Sequence, residues 1–485
     1  MFCQDNSYAV SNAWLSRHRL LRLGEDAKTT SGAASKKRRA SMSNQLPALR
    51  RTIDILPSPE TDRPGLLIRD PLRYTDTVLY VPPAWALALR CLDGEHTELD
   101  AQEILTRATG GLVFSDEVRE FVRVLRQQGF LETEEFHRLR EQRHKEFREL
   151  RERPAAHAGM AYPAKAAEIR RTFEEYFRGV DVGEGRSDTL LGVAAPHVSL
   201  EGGRNCYAET YRRLASFPAL AERTFMVLGT SHWGAAEKFG LTHKPFVTPL
   251  GTLRVDDELV DWLEQSGGRA VNSEDYCYAI EHSIEFQCVF LQHALGPELK
   301  IVPILCGPLG ESQQYDGPEP ACKVSAPPTV RVANVQSTRL EVSATVDATS
   351  AGAAENDQDR ERFLGALSEL AEKHRNRLFW VLGIDLAHLG RRYGDTFTAL
   401  ANRGQMVEVA EQDRRRLELV CAGDSRGFLE LVKGGRDELN WCGYSTLYAF
   451  LRAVGKVQGR LLRYEQWNID PQSVVSFASL EFLTP

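Results

Sequence analysis

The sequence predicts an α/β fold, with a layered α/β domain in its larger carboxyl-terminal part and a smaller α+β module ahead of it. Three observations carry this. Apolar runs at 190–195, 225–229, 300–305 and 378–384 are continuous enough to be strands buried on both faces. Helical stretches at 204–216, 283–295 and 361–373 alternate with them, the order expected of a sheet sandwiched between helices. A separate block with its own turns and caps occupies residues 62–131.

Composition narrows the function. At 485 residues the chain is long enough for two folded units plus linkers. Hydrophobic content of 42% and charged content of 26% are those of a globular protein. A net charge of −7 gives no support for nucleic-acid binding. No apolar run approaches the roughly 20 residues that cross a bilayer, and Met1 to Leu23 lacks the apolar core of a secretion signal. The nine cysteines include no CxxC pair and no regular spacing, which argues against a zinc finger or a disulfide framework. Reduced thiols and a cytoplasmic location are the expectation.

Taken in order, residues 1–55 are expected to be a disordered tail. Thr29 to Ser35 is small and polar, and the basic run Lys36, Lys37, Arg38, Arg39 reads as solvated tail rather than a nucleic-acid patch. Met42 is an alternative start, which would leave 1–41 outside the native protein. In the 62–131 module, Leu66 to Ile68 and Val78 to Tyr80 predict short strands, and Pro82 and Pro83 open a helix bearing Trp85, Leu87 and Leu89. Asp100 is the expected cap of a helix with Ile104 and Leu105. Ser115 is that of another, with Val118, Phe121, Val122 and Leu125 at helical spacing and its end at Gly129. Three helices with edge strands describe a winged helix. Asp116, Glu117 and Glu120 argue against a DNA-reading helix. Residues 132–153, dense in both charge signs, predict a solvated linker helix. The main domain spans 154–485. A segment at about 310–358, rich in Ser, Thr, Pro, Ala, Gly and Asp, reads as a flexible surface insertion.

Three of the strands share a layout. LLGVAAPH at 190–197, TFMVLGTSHW at 224–233 and LFWVLGIDLAH at 378–388 each deliver a histidine just past the strand's carboxyl end, the ligand-binding edge of open α/β sheets. Glu281-His282-Ser283-Ile284-Glu285 opens a helix on which Glu281 and Glu285 share a face, either to orient His282 or to cap the helix. Asn440-Trp441-Cys442-Gly443 precedes the apolar helix 447–454. His197, His232 and Cys442 make a nitrogen, nitrogen, sulfur set that suits zinc, iron or copper and is poor for magnesium or calcium. Asp385, His388 and His282 are the candidate acid/base groups, with Ser231, Glu281 and Glu285 behind the ligands. Taken singly, Cys442 also reads as a buried inert thiol. His243, His293 and His374 fall outside the pattern.

In order, His157-Ala158-Gly159, Tyr162-Pro163, Ala195-Pro196-His197, Leu228-Gly229-Thr230-Ser231-His232, Thr248-Pro249-Leu250-Gly251, Glu281 to Glu285, Val302-Pro303-Ile304-Leu305, Asp385-Leu386-Ala387-His388 and Cys442-Gly443-Tyr444 resemble the Memo family. Its bacterial members are called AmmeMemoRadiSam system protein B. The resemblance covers roughly 154–485. It implies a three-layer αβα fold like that of the class III extradiol (LigB-type) dioxygenases. It also implies an iron or copper site at His197, His232 and Cys442, with His388 near the dioxygenases' acid/base histidine. An AMMECR-type protein and a radical-SAM protein are the implied companions. The 62–131 module, with its LDG, amphipathic helix and closing QQGFL, resembles the PqqD-like domains, which bind a peptide along a sheet edge.

One departure stands out. After the first histidine the family runs Ala-Gly-Tyr, and this chain has Val198-Ser199-Leu200-Glu201-Gly202-Gly203. The Gly202-Gly203 pair, followed by Tyr207 and Tyr211, is expected to open the next helix and admit a ligand's anionic group. Three functions remain open: a metal-dependent redox enzyme of dioxygenase type, a non-enzymatic peptide- or partner-binding protein with a vestigial pocket, and a metal-free thiol hydrolase using Cys442, His388 and Asp385.

Overall fold

The protein is described by a computed structural model that covers residues 20–22, 45–58, 64–181, 189–309, 349–433 and 438–484. The basic run 36–39, Met42 and most of the expected insertion lie outside these residues. The chain divides into two compact units, one up to Leu150 and one from Arg151.

The first unit is built on a four-stranded sheet of β1 (Leu20–Arg22), β2 (Asp54–Pro57), β3 (Leu66–Arg69) and β4 (Val78–Val81), in the order β1-β4-β3-β2. Against it pack α1 (Glu98–Thr109) and α2 (Ser115–Gln127), and α3 (Glu134–Glu149) lies against α2. Residues 45–55, expected to belong to the tail, lie in the folded unit. From Gln45 onward the chain belongs to the unit, because Leu46 and Ile53 join its core and the Arg50 guanidinium is buried against Asp70 at 2.9 Å. Pro83 to Cys91 forms two short 3-10 turns rather than one helix. The cap of α1 is Thr97, which exchanges hydrogen bonds with Asp100 in a capping box, so Asp100 is the box's third turn residue and not the cap. At α2, Phe114 holds the cap position and Glu117 accepts its backbone N–H at 2.8 Å. The expected linker helix α3 packs onto this unit instead of standing free. Phe136 and Phe147 are buried, and the Arg50 guanidinium lies 4.0 Å over the Phe136 ring. Its charge density hid the two aromatic residues that decide the matter.

In the second unit the elements run α4 (Ala166–Phe177), β5 (Leu190–Ala195), α5 (Arg204–Leu214), β6 (Thr224–Thr230), β7 (Phe239–Leu241), β8 (Phe246–Thr248), β9 (Gly251–Val255), α6 (Asp257–Gly267), β10 (Val271–Ser273), α7 (Ser283–Leu295) and β11 (Lys300–Cys306). They continue with α8 (Thr349–Lys373), β12 (Leu378–Gly383), β13 (His388–Gly390), α9 (Gln405–Cys421), α10 (Ser425–Lys433), α11 (Tyr444–Val454), β14 (Gln458–Asp470) and β15 (Ser473–Leu483). Helix α8 starts at Thr349, so the last residues of the expected insertion are helical.

Eleven strands form one mixed sheet, ordered β10-β7-β11-β6-β12-β5-β15-β13, with β14 on β15, β9 on β11 and β8 on β9. Its centre is parallel: β11, β6, β12 and β5 lie side by side, and β6, β12 and β5 are buried along their whole length. This is the burial expected of strands covered by helices on both faces. The register pairs Gly229 with Gly383 and Gly383 with Ala195, so three strands end at one level.

Both glycines sit under the start of α7. A side chain at Gly229 would meet Ser283 Oγ at 2.5 Å and Ile284 at 2.7 Å, and one at Gly383 would run into the Ser283 carbonyl. The helix therefore lies against bare backbone at the strand ends. On the opposite face Trp380 packs its ring 5.6 Å from that of Phe450 in α11. Among the described residues no helix is long and apolar enough to cross a membrane.

Gly383→Ala is expected to destabilise the protein by about 1–3 kcal/mol, because the obstructing atom is backbone and cannot rotate away. Gly365→Ala, at an exposed position of α8 with open space around it, is expected to stabilise by about 0.5–1 kcal/mol. Chemical denaturation of the two variants beside the wild type reads both signs.

Candidate metal centre

The level strand ends bring the chemistry together. Past β5, Pro196 leads to His197, which is 1% exposed. Its backbone N–H and that of Val198 donate to Asp385 Oδ1 at 3.0 and 3.2 Å, so the loop after β12 holds the loop after β5. His197 Nδ1 lies 3.0 Å from the Gly383 carbonyl. A carbonyl only accepts, so Nδ1 carries the proton and Nε2 presents its lone pair.

His232, past β6, is held in the same manner by a different group. Its backbone N–H donates to Glu281 Oε2 at 3.0 Å, and its Nδ1 lies 2.8 Å from Glu281 Oε1. Its Nε2 is again turned the other way. The sulfur arrives from a distant segment: the Gly443 N–H donates to the Asp385 carbonyl at 2.9 Å, and Thr230 Oγ1 donates to the Cys442 carbonyl at 2.9 Å. Cys442 Sγ then lies 3.1 Å from His197 Nε2. Ligand atoms of His197, His232 and Cys442 all fall within 4.8 Å of one another.

Protonation follows from the surroundings. Burial pushes His197 well below the ordinary imidazole range, and the neighbouring His232 and His282 push it the same way, so it is neutral. Burial would also lower His232, but the Glu281 carboxylate and the Cys442 sulfur outweigh it and hold it well above that range. Burial raises the Cys442 thiol, opposed by His232. For Glu281, burial opposes ionisation and the two histidines it faces overcome it, leaving a carboxylate.

The remaining site residues named from the sequence fall in four places. Asp385 and His388 form a second group with Cys442, their ligand atoms within 4.8 Å, and Asp385 Oδ2 stands 3.6 Å from His197 Nε2. His388 Nδ1 bonds the Leu386 carbonyl at 2.9 Å, and burial lowers its pKa to about 4. His282 stacks on His232 with ring centroids 4.9 Å apart and shares Glu281 with it. Ser231 contributes its backbone N–H to the Cys306 carbonyl at 2.9 Å and packs its side chain against Gly234. Glu285 is one turn further along α7 and faces away from Cys442, toward Arg153, Ala156, His157 and Tyr162.

The expected anion seat at Gly202-Gly203 is absent from the described residues. The Trp467 ring fills the space above Gly202, where a side chain would meet it at 2.7 Å. Tyr207 donates to the Val198 carbonyl and Tyr211 to Gln287 Oε1, so both phenols are committed to holding loop and helix. Helix α5 does begin at Arg204.

Sequence reasoning missed Arg153. Its guanidinium is buried, pairs with Glu285 and donates to the carbonyls of Tyr278 and Glu281 at 2.9 and 2.8 Å. It thereby supports the loop that carries Glu281 and His282, yet in the sequence it is the last charge of a charged run. His243, set aside as ordinary, faces Asp261 and Glu264 at 3.5 Å in a partly exposed group of its own.

Comparison with known proteins bears on this geometry. A family model described as Memo-like protein matches residues 153–317 and 353–481. A MEMO1 family protein of Aquifex aeolicus is 24% identical over 424 residues, covering 86% of this chain and 95% of the relative. That span exceeds the whole second unit, so the likeness extends into the first. MEMO1 family proteins of Methanopyrus kandleri and Thermococcus kodakarensis are 26% and 27% identical, over 68% and 67% of this chain and 99% and 97% of their own.

The Glu285 ion pair has a pH signature. Burial alone would raise this carboxyl, but Arg153 and His157 hold it down at about 2, against an ordinary 4.5. A folded-state value below the unfolded one contributes stability that is present above about pH 4.5 and is lost as pH falls towards 2. Glu285→Gln is expected to cost about 3–5 kcal/mol at neutral pH, since it leaves Arg153 buried without its partner. It should also flatten the acid limb of stability between about pH 5 and 2, as read by denaturation at stepped pH.

Proposed function

The chain belongs to the Memo-like protein family, and from that premise we propose that it binds one iron or copper ion through His197, His232 and Cys442 and acts as a redox protein of non-haem type. The observation that carries the reading is the orientation of the two imidazoles. Each spends Nδ1–H on a fixed acceptor, Gly383 carbonyl or Glu281 carboxylate, and turns Nε2 toward Cys442 Sγ. An outer acceptor behind each ligating imidazole is the usual support of a metal site. Two imidazoles and a thiolate suit iron, copper or zinc and are poor for magnesium or calcium.

When bound, such an ion supplies one-electron chemistry and polarises an oxygen-bearing ligand. The protein's own groups supply the rest. Glu281 orients His232 and balances its charge, and Asp385 fixes the His197 loop through two backbone N–H groups. His388 is neutral at pH 7 and is the group placed to take a proton, its Nδ1 committed to Leu386. The thiol-hydrolase alternative is less favoured, because burial raises the Cys442 thiol whereas a nucleophile needs it lowered. The first unit, within reach of the likeness to the Aquifex relative, is assigned to recruiting a peptide or companion protein through its sheet edge.

Elemental analysis of protein purified without oxygen tests the metal reading. Close to one iron or copper per chain is expected in the wild type, with loss in Cys442→Ala and His232→Ala. A wild type that carries no metal and takes up neither added iron nor added copper would sink it. Labelling of Cys442 by a thiol reagent only when His388 is intact would then point to the hydrolase.

A further inference from the structure

Asp413, in α9, lies outside every motif discussed so far, and its carboxylate is sealed from solvent. Three neutral donors converge on it: Trp441 Nε1–H at 2.6 Å on Oδ1, and the Tyr464 and Ser476 hydroxyls at 2.7 and 2.6 Å on Oδ2. Burying a carboxylate is costly, and hydrogen bonds offset that cost only when they saturate it. A side chain retained on such terms needs a reason in geometry.

The donors supply one. Trp441 is the residue before Cys442. Ser476, on β15, brackets the loop that carries His388. The Leu386 N–H donates to the Ser476 carbonyl at 2.8 Å, the Ser476 N–H to the Ala387 carbonyl at 2.9 Å, and the Ala387 N–H to Ser476 Oγ at 2.9 Å. The hydroxyl that receives Ala387 is thus the one that Asp413 receives in turn. One carboxylate oxygen holds the segment of Cys442 and the other the segment of His388. Tyr464 ties the same oxygen to β14, where Gln466 Nε2 donates to its hydroxyl at 3.0 Å.

We propose that Asp413 is a positioning residue of the metal centre, fixing the Cys442 sulfur relative to His388 through Trp441 and Ser476. The inference rests on the metal reading above. Asp413→Asn keeps the shape but offers an amide N–H where a lone pair is needed. Hydroxyls can rotate to adapt, whereas the Trp441 indole can only donate. Trp441→Phe removes that single bond and leaves the carboxylate in place, so it remains informative if Asp413→Asn does not fold. Glu481→Gln, which breaks a buried pair with Arg213 near the other end of β15, controls for loss of stability alone.

Cobalt(II) titration is the test, read by affinity and by the thiolate-to-cobalt charge-transfer band. In both variants cobalt is expected to bind about 10–100-fold more weakly, the usual loss when an outer support of a metal ligand is removed, and the band to shift or weaken. Glu481→Gln is expected to melt earlier with affinity and band unchanged. Wild-type affinity and an unmoved band in Asp413→Asn and Trp441→Phe would overturn the proposal. A wild type that binds no cobalt fails the metal reading instead. Asp413 is then judged by the rate of iodoacetamide labelling of Cys442, expected to be faster in both variants, and wild-type rates would overturn it.

Discussion

The shared level at which β5, β12 and β6 end is the constraint on which the site depends. Parallel strands hydrogen-bonded in register must advance together, so Ala195, Gly383 and Gly229 lie in one row across the sheet. His197, Asp385 and His232 follow that row by two or three residues. No loop has to travel far to bring them together, and each is anchored by an element buried on both faces. Bare glycine backbone at two of the three ends lets α7 approach, and α7 in turn places Glu281 behind His232. A slip of one residue in any of these pairings would move a ligand and its support together.

The second constraint is electrostatic. Glu281, Glu285, Asp385 and Asp413 are all nearly sealed from water. Each is satisfied differently: Glu281 by two imidazoles and backbone N–H groups, Glu285 by Arg153, Asp385 by the His197 and Val198 amides, and Asp413 by three neutral donors. Such groups make a poor source of net stability. What they do is join segments far apart in sequence, since a carboxylate can accept from several directions at once. Glu281, Asp385 and Asp413 bridge the segments that carry His197, His232, His388 and Cys442.

Much of this was legible in the sequence, for identifiable reasons. His197 and His232 each follow a continuous apolar run, and Val-Leu-Gly recurs before His232 and before Asp385, so strand, break and histidine could be read locally. Arg153 and Asp413 were not legible, because each sits in a charged run of sequence, and nothing in such a run tells the one buried charge from its solvated neighbours. The same weakness made a free linker of α3, where Phe136 and Phe147 decide the packing against a background of charges. Thr97 and Asp100 show a smaller error of the same kind, since both fit a helix start and only the reciprocal bonds assign the cap. The space over Gly202 was misjudged because Trp467 comes from a strand more than 260 residues away, a contact that no local pattern encodes.

Asp385 shows why the site needs a carboxylate that is not itself one of the three donors. Its Oδ1 is used up by the two backbone N–H groups of the His197 loop, so the side chain cannot swing without releasing that loop. Its Oδ2 is left facing His197 Nε2 at 3.6 Å, beyond hydrogen-bond reach but close enough to add negative potential beside the sulfur. Burial pushes this carboxyl's pKa up, with His388 and the two amides opposing. Negative potential there favours a cation between Cys442 and the two imidazoles and disfavours a bare thiolate. Under the metal reading proposed above, the clamp that builds the site also favours a bound ion over a free nucleophile.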